Sequence, residues 1–181
     1  MTDSTDQTLG FACAQDPPLP YLARIRAYYS ALGYGAPYRW AQYLDVPFTP
    51  LAKLLAEMTV GLITTAAPCQ ADKGDQGPGA PYNASAKFFT VYSGDTAVDH
   101  DLRISHLSYD RQHSTAQDIN SWFPLPALRR AAARGRIGKL AARFHGVPTN
   151  RSHHTTLDID CMALLARCRE DGVDAVLLVA N

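Results

Sequence analysis

Residues whose side chains could transfer protons are concentrated between positions 95 and 120 of the sequence. His106 follows Leu102 and Ile104 at alternate positions, so we expect the three side chains on one face of a strand. His106 is a candidate general acid or base, or a contact for a substrate carboxylate, because imidazole titrates close to neutral pH. The alternative is a histidine that only ties the following loop to a backbone carbonyl.

The spacing of His106, Asp110 and His113 also raises the question of a metal site. The intervals between them do not form a zinc signature, and no helix pattern brings the three onto one face. We therefore expect no metal ligands in this chain.

A second polar group runs from Arg143 to His154 and includes His145 and Asn150. The dipeptide His145–Gly146 and the tripeptide Pro148–Asn150 are typical of a turn. Such loops often carry ligand-binding groups, and a solvated connection is the alternative reading.

Cys69 is a candidate nucleophile because it comes soon after an apolar strand. Its thiol would need a lowered pKa to react, and an inert thiol is the alternative. The glycines at 74, 77 and 79 do not form a phosphate-binding loop.

The elements that must position these residues are helices and strands in alternation. Apolar runs predict buried strands over 60–65 and 173–179, and helical periodicity predicts helices over 124–134 and 158–171. Further helices are expected over 21–32 and 50–59, and further strands over 87–92 and 102–106. The pattern predicts an α/β fold with a mostly parallel sheet and flanking helices, a Rossmann-like three-layer arrangement.

Composition excludes several classes of protein. Lys and Arg total 17 and Asp and Glu total 17, so no basic surplus suggests a nucleic-acid partner. No apolar run approaches the roughly 20 residues that cross a bilayer, so we expect no membrane partner. The first ten residues contain no Lys or Arg, unlike a secretory or transit peptide, and we expect a cytoplasmic protein.

The domain organisation predicted is a flexible lead-in over 1–20 and a single α/β domain over 21–181. The final apolar strand needs a neighbour and helices over its faces. We therefore expect the fold to be truncated at this strand, and the chain to be the N-terminal part of a longer one.

Several motifs carry a resemblance to a known family. They are VGLITTA (60–66), DLRISHLSYDRQH (101–113), DINSWFPLPALRRAAARGRIGKLA (118–141), RFHGVPTNRS (143–152) and CREDGVDAVLLVAN (168–181). In this order they resemble the glycine/sarcosine/betaine reductase selenoprotein B family, which includes the selenoprotein subunit of D-proline reductase.

The resemblance implies an oxidoreductase subunit that reductively cleaves a C–N bond in glycine, an N-methylated glycine, D-proline or a related amine. Electrons would come from a dithiol or a thioredoxin-like donor. A pyruvoyl group would reside on a partner subunit, and no cofactor would be bound by this chain. The redox residue, selenocysteine or cysteine, is expected just after Asn181, so the 181-residue chain alone would be inactive.

The resemblance also indicates which polar residues line the pocket. His106, Asp110 and His113 are expected to be catalytic, and Asp118, Asn120, His145 and Asn150 to bind substrate. Two alternatives stay open: a complete α/β enzyme, racemase- or hydrolase-like, that uses the His/Asp cluster, or a non-catalytic subunit.

Overall fold

The computed structural model describes residues 20–36, 43–107, 109–113, 116–150 and 152–181. The chain divides into two units, Met1–Val46 and Pro47–Asn181. In the first unit, helix α1 spans Tyr21–Ala31, and Gly33 follows with a left-handed backbone, as the sequence predicted. Residues 1–19 of the predicted lead-in lie outside the described residues, and the proposed domain division stays a prediction.

The second unit is built on two sheets. Seven strands are described: β1 (Thr59–Thr64), β2 (Ala67–Pro68), β3 (Tyr92–Asp95), β4 (Leu102–Arg103), β5 (Lys139–Leu140), β6 (Arg143–Gly146) and β7 (Ala175–Val179). β2 and β4 form a small antiparallel pair, and the other five strands form the main sheet.

β1 is the central strand of the main sheet. On one side it pairs in parallel with β7 over five positions, from Val60 with Ala175 to Thr64 with Val179. On the other side it pairs in parallel with β5 at its start and with β6 at its end. β3 then adds to β6 in the antiparallel direction. All strands paired directly to β1 are parallel to it, which confirms the mostly parallel sheet.

Helices cover the two faces of this sheet. The longer ones are α2 (Leu125–Ala133) and α4 (Cys161–Glu170), and α4 is preceded by the single turn α3 (His153–Thr155) and a π-helical turn (Thr156–Asp160). On one face Leu128 of α2 packs against Val60, and on the other Leu164 of α4 packs against Ile63. The three-layer α/β arrangement is therefore confirmed.

Neighbouring residues of a strand point to opposite faces of the sheet, so they contribute to two different apolar cores. Leu62 and Phe144 point to one face and join Phe123 and Leu102 in the largest core cluster. Ile63 lies on the face beneath α4, with Leu164 and Cys168. This alternation is the period-two pattern of a strand buried on both faces.

Two predicted elements are wrong. The helix expected over 50–59 is a three-residue 3₁₀ turn at Leu55–Glu57, because its apolar side chains find no surface on which to pack and Thr59 already begins β1. The strand expected over 87–92 begins only at Tyr92. β3 starts there because Tyr92 is the first residue in register with β6, opposite Gly146.

Two further predictions placed residues in the wrong element. His145 and Gly146 do not form a turn, because they belong to β6 and pair with β1. The strand expected over 102–106 is limited to Leu102–Arg103 and lies in the small antiparallel pair. His106 therefore does not stand at the carboxyl end of a parallel strand. No helix among the described residues is long and apolar enough to span a bilayer.

Candidate functional site

A cleft of about 310 Å³ opens beside the small antiparallel pair of strands. Its walls come from three segments that are distant in sequence: Gly79–Pro81, His100–Leu102, and Ala116, Gln117, Ile119 and Trp122. The volume falls at the small end of the range for ligand pockets, which suits a compact molecule.

The apolar part of the cleft is held rigidly by the core. Leu102, Ala116 and Trp122 are all buried and belong to the largest apolar cluster. The Trp122 Nε1 donates a hydrogen bond to the Ala116 carbonyl at 3.0 Å, so the indole satisfies its one polar atom while it packs. This part of the site is therefore formed before any ligand arrives.

Arg103 is fully buried and forms an ion cluster with Asp75 and Asp101 beside the cleft. Its guanidinium donates to both carboxylate oxygens of Asp75 at 2.9–3.1 Å, and to Asp101 and the Gly77 carbonyl. The planar fork of an arginine matches such paired carboxylates. The cluster thereby fixes the loop after β2 against β4.

Asp101 connects that cluster to the rim of the cleft. Its side chain is 41% exposed, and its Oδ1 also accepts a hydrogen bond from the Gly79 amide at 3.1 Å. The hydrogen bonds from Arg103 are the main cause of a lowered pKa for Asp101, which keeps this carboxylate ionised at neutral pH. The cleft therefore carries a negative charge at its rim.

His100 is the second titratable residue in the wall of the cleft. Its Nε2 donates to the Asp95 carbonyl at 2.6 Å, and its ring meets the edge of Phe144 with centroids 4.8 Å apart. Because a carbonyl only accepts, this bond places the proton on Nε2 and leaves Nδ1 as an acceptor in the neutral ring.

Asn181, at the carboxyl edge of the sheet, is hydrogen-bonded to one residue of the cleft wall. Its backbone amide donates to Thr65 Oγ1 at 2.8 Å, and its side-chain amide donates to the Trp122 carbonyl at 3.0 Å. Since Trp122 lines the cleft, the end of β7 is tied directly to the site. The carboxyl ends of parallel strands are where open α/β sheets bind ligands.

Cys69 does not have the properties of an activated nucleophile. The thiol accepts a long contact from Arg103 Nη2 at 3.4 Å, which by itself favours the thiolate. Desolvation is the larger effect, however, and the pKa of Cys69 is raised rather than lowered. The condition for a reactive thiol is therefore not met, and the alternative of an inert thiol is favoured.

The three residues predicted to be catalytic lie outside the walls of the cleft. His106 is exposed after β4. Asp110 and His113 are exposed and form a local pair, Nδ1 to Oδ2 at 3.0 Å, while Asp110 also caps the backbone amides of Gln112 and His113. The structure does not bring the three together in one pocket, and their catalytic role stays a prediction.

Two of the predicted substrate-binding residues support the wall of the cleft without lining it. Asp118 caps the 3₁₀ turn Ile119–Ser121 by accepting from the amide of Asn120. The Asn120 side chain in turn accepts from the Ala127 amide at 2.9 Å, and so ties this turn to α2. Both side chains position Ile119 and Trp122.

The other two lie on the opposite face of the sheet, toward α4. His145 is buried, with Nδ1 2.9 Å from Ser93 Oγ and Nε2 3.3 Å from Asp171 Oδ2, where the angle does not make a hydrogen bond. Asn150 donates to the buried Asp160 at 2.7 Å and accepts from Ser152, which fixes the π-helical turn before α4. Their binding role stays a prediction.

Sequence reasoning missed most of the cleft. It named the polar stretch that contains His100 and Asp101 but did not single them out, and it gave no role to Gly79–Pro81 or Trp122. Among the residues that the structure describes, no three His, Cys, Asp or Glu side chains gather as metal ligands would. The signal that could have been used is Arg103, a charged residue inside an apolar strand.

Two curated proteins match this chain over about three quarters of its length. It is 35% identical over 137 residues to D-proline reductase subunit gamma from Acetoanaerobium sticklandii, covering 74% of this chain and 53% of that protein. It is 30% identical over 139 residues to glycine reductase complex component B subunit gamma from Carboxydothermus hydrogenoformans, covering 75% of this chain and 31% of that protein.

The chain thus spans about half the length of the first relative and a third of the second. No protein-family model matches the sequence, and no solved structure does. Both relatives are reductase subunits, and they confirm the resemblance found in the motifs. Over the matched residues, this chain belongs to the family of D-proline reductase and glycine reductase component B gamma subunits.

Proposed function

We propose that this chain is a subunit of a reductase that cleaves a C–N bond in glycine, an N-methylated glycine, D-proline or a related amine. The observation that carries the proposal is the 35% identity to D-proline reductase subunit gamma over 137 residues. In the reaction the C–N bond breaks, a C–H and an N–H bond form, and a dithiol supplies two electrons and two protons as it becomes a disulfide.

The cleft beside Asn181 is the place proposed for this chemistry. It is small, rigid on its apolar side and charged at its rim, which suits a compact polar substrate. A selenocysteine or cysteine directly after Asn181 would begin at the carboxyl edge of the sheet, tied to the cleft through Trp122. The family resemblance motivates that redox residue, and the hydrogen bonds of Asn181 make its position favourable.

The chain's own residues would bind and orient the substrate. The partner subunit would carry the pyruvoyl group, which activates the amine nitrogen. Leu102 and Trp122 would exclude water from the reacting carbon, and Asp101 and His100 would hold polar groups of the substrate at the rim. A cytoplasmic location is part of the proposal.

The position of the redox residue is tested by the codons that follow Asn181. A UGA codon, or a cysteine codon, followed by an open frame with a nearby cysteine is expected. A UAA or UAG codon with no frame beyond it would contradict this placement.

The activity is tested with the full-length chain assembled with its partner subunit. Under anaerobic conditions with dithiothreitol, we expect the loss of one amine from a panel of glycine, sarcosine, betaine and D-proline, with one dithiol oxidised per bond broken. Dithiol-dependent activity of the isolated 181-residue chain that Cys69→Ser abolishes would contradict the proposed site.

A further inference from the structure

Four polar side chains meet on the face of the main sheet that α4 covers. Ser93 of β3 and His145 of β6 are directly opposite one another in the antiparallel pair, so their side chains project on the same face. Arg167 belongs to α4, and Asp171 comes directly after its last residue. These four described residues lie outside the walls of the cleft, so they form a group separate from the site proposed for reduction.

The contacts of Ser93 determine where its hydroxyl proton lies. Arg167 Nη1 is 2.8 Å from Ser93 Oγ, and because a guanidinium only donates, the oxygen accepts this bond. His145 Nδ1 is 2.9 Å from the same oxygen. The hydroxyl therefore uses its own proton toward Nδ1, provided that the ring is neutral and carries its proton on Nε2.

The surroundings of His145 favour that state. Burial is the main cause of a lowered pKa for His145, so the ring is neutral at neutral pH. The charged groups that face it are Asp171, which raises the pKa, and Arg143 and Arg167, which lower it. Asp171 Oδ2 lies 3.3 Å from Nε2, and a carboxylate only accepts, so the proton is favoured on Nε2. Nδ1 is then a base within reach of the Ser93 hydroxyl.

Asp171 stands in the position of the orienting carboxylate. Arg143 fixes it through Nε at 2.9 Å and Nη2 at 2.8 Å. His145 Nε2 does not make a hydrogen bond to it in this structure. Such bonds are often misaligned without a ligand and tighten when the ring takes up a proton. The order of hydroxyl, imidazole and carboxylate is that of a catalytic triad.

Arg167 places a positive charge beside the Ser93 hydroxyl. The guanidinium of Arg143 is paired with Glu170 and Asp171, whereas no carboxylate among the described residues forms an ion pair with Arg167. Its charge is therefore available to a negative charge that develops next to Ser93 Oγ, as an oxyanion does in acyl transfer. Ser93 itself is half-buried, so only a small molecule would reach it.

We propose that Ser93, His145 and Asp171 form a second reactive site, in which Ser93 Oγ is the nucleophile toward a small carboxylic ester. Oγ bonds to the carbonyl carbon while His145 Nδ1 takes the hydroxyl proton and Arg167 stabilises the oxyanion. The bond to the alcohol oxygen then breaks, and the alcohol leaves with that proton. Water, deprotonated by His145, hydrolyses the acyl group from Ser93 and releases the carboxylic acid. This site does not depend on the reductase reaction.

The proposal is tested by treating the full-length chain with a fluorophosphonate and locating the adduct by mass spectrometry. Ser93 Oγ is expected to bond to phosphorus as fluoride leaves. The labelling rate should rise with pH through the pKa of His145, below 6.5, and then become constant, because only the neutral ring accepts the proton. Hydrolysis of p-nitrophenyl acetate, followed as released p-nitrophenolate, is expected to show the same pH profile.

Three variants identify the reacting groups. Ser93→Ala is expected to abolish the adduct at this position. His145→Gln removes the base and should slow labelling of Ser93 at least about a hundredfold. Ser85→Ala is the matched control, since it removes the hydroxyl of an exposed serine, and should leave the labelling rate unchanged. The Tm of each variant shows whether it is folded.

Adducts that form on exposed residues but not on Ser93 would overturn the proposal. Labelling of Ser93 at the wild-type rate in a folded His145→Gln chain would overturn it as well, as would a rate that keeps rising above neutral pH. The pH profile is measured on the wild-type chain, so it decides the matter even where His145→Gln does not fold.

Discussion

The small antiparallel pair and the main sheet each bury a basic side chain, but the two surroundings differ. On the cleft side, Arg103 is fully buried and all its donors are bonded to carboxylates, carbonyls or sulfur. On the α4 side, His145 is buried with one nitrogen bonded to Ser93 and the other without a hydrogen bond. The first arrangement holds a permanent charge, and the second disfavours a charged ring, because burial lowers the pKa of His145.

The difference shows which region is built as a fixed scaffold. A saturated buried charge locks the loop after β2 and gives the cleft walls a single geometry. A neutral buried histidine packs the helix layer and leaves that layer sensitive to acid. The cleft side is therefore the region whose shape should persist across a wide pH range.

The largest effect is expected when the scaffold loses its central charge. Arg103→Met leaves Asp75 and Asp101 without their partner, and should lower the free energy of unfolding by about 3–5 kcal/mol. Urea denaturation measures the loss. Lys73→Met is the control, since both Lys73 and its partner Asp72 are largely exposed, and should cost less than about 1 kcal/mol. An equally small decrease in the free energy of unfolding for both variants would contradict the claim that the buried ion cluster is a scaffold.

A second test on the cleft side is the contact between β3 and β6. Gly146→Ala would place a Cβ in overlap with Tyr92 Cε1, and the Tyr92 ring is held because its hydroxyl donates to the Ala66 carbonyl at 2.6 Å. Overpacking of this kind costs about 1–3 kcal/mol. Thermal unfolding should show a lower Tm, whereas Gly35→Ala, which meets no neighbouring atom within 4 Å, should leave it unchanged.

The third test separates the two faces by pH. Burial lowers the pKa of His145 below its usual 6.5. At pH values between the folded pKa and 6.5, the unfolded chain therefore binds more protons than the folded chain. Stability is therefore present above pH 6.5 and is lost as pH falls toward the folded pKa, by at most about 1.4 kcal/mol per pH unit.

His145→Gln should remove this slope in urea unfolding measured between pH 7.5 and 5. His113→Gln replaces an exposed histidine and serves as the control, which should keep the slope. The same slope in all three proteins would show that His145 is not the acid-sensitive group of this face.

Local patterns in the sequence were enough to predict the framework of the fold. β1, β7, α2 and α4 follow from apolar runs or helical periodicity closed by Gly135 and Gly172. β6 could not be predicted as a strand from the sequence, because a segment containing Arg143, His145 and Gly146 has the composition of a turn. Its pairing with β1, some 80 residues earlier, and with β3 makes it a strand.

The candidate site was less accessible to sequence reasoning for the same reason. Asp75 and Arg103 are 28 residues apart, and no spacing rule connects them. The histidines chosen by residue type, His106 and His113, are exposed, whereas His100 gains its place in the cleft from contacts with Asp95 and Phe144. The side chains that form the cleft are brought together only by the tertiary fold.

The most direct test of the account is amine reduction by the assembled complex with Ala80→Leu in this chain. If the cleft beside Asn181 holds the substrate, product formation should fall about a hundredfold, while the Tm of the variant stays close to that of the wild type. An unchanged rate in the folded variant would contradict the claim that this cleft is the site of reduction.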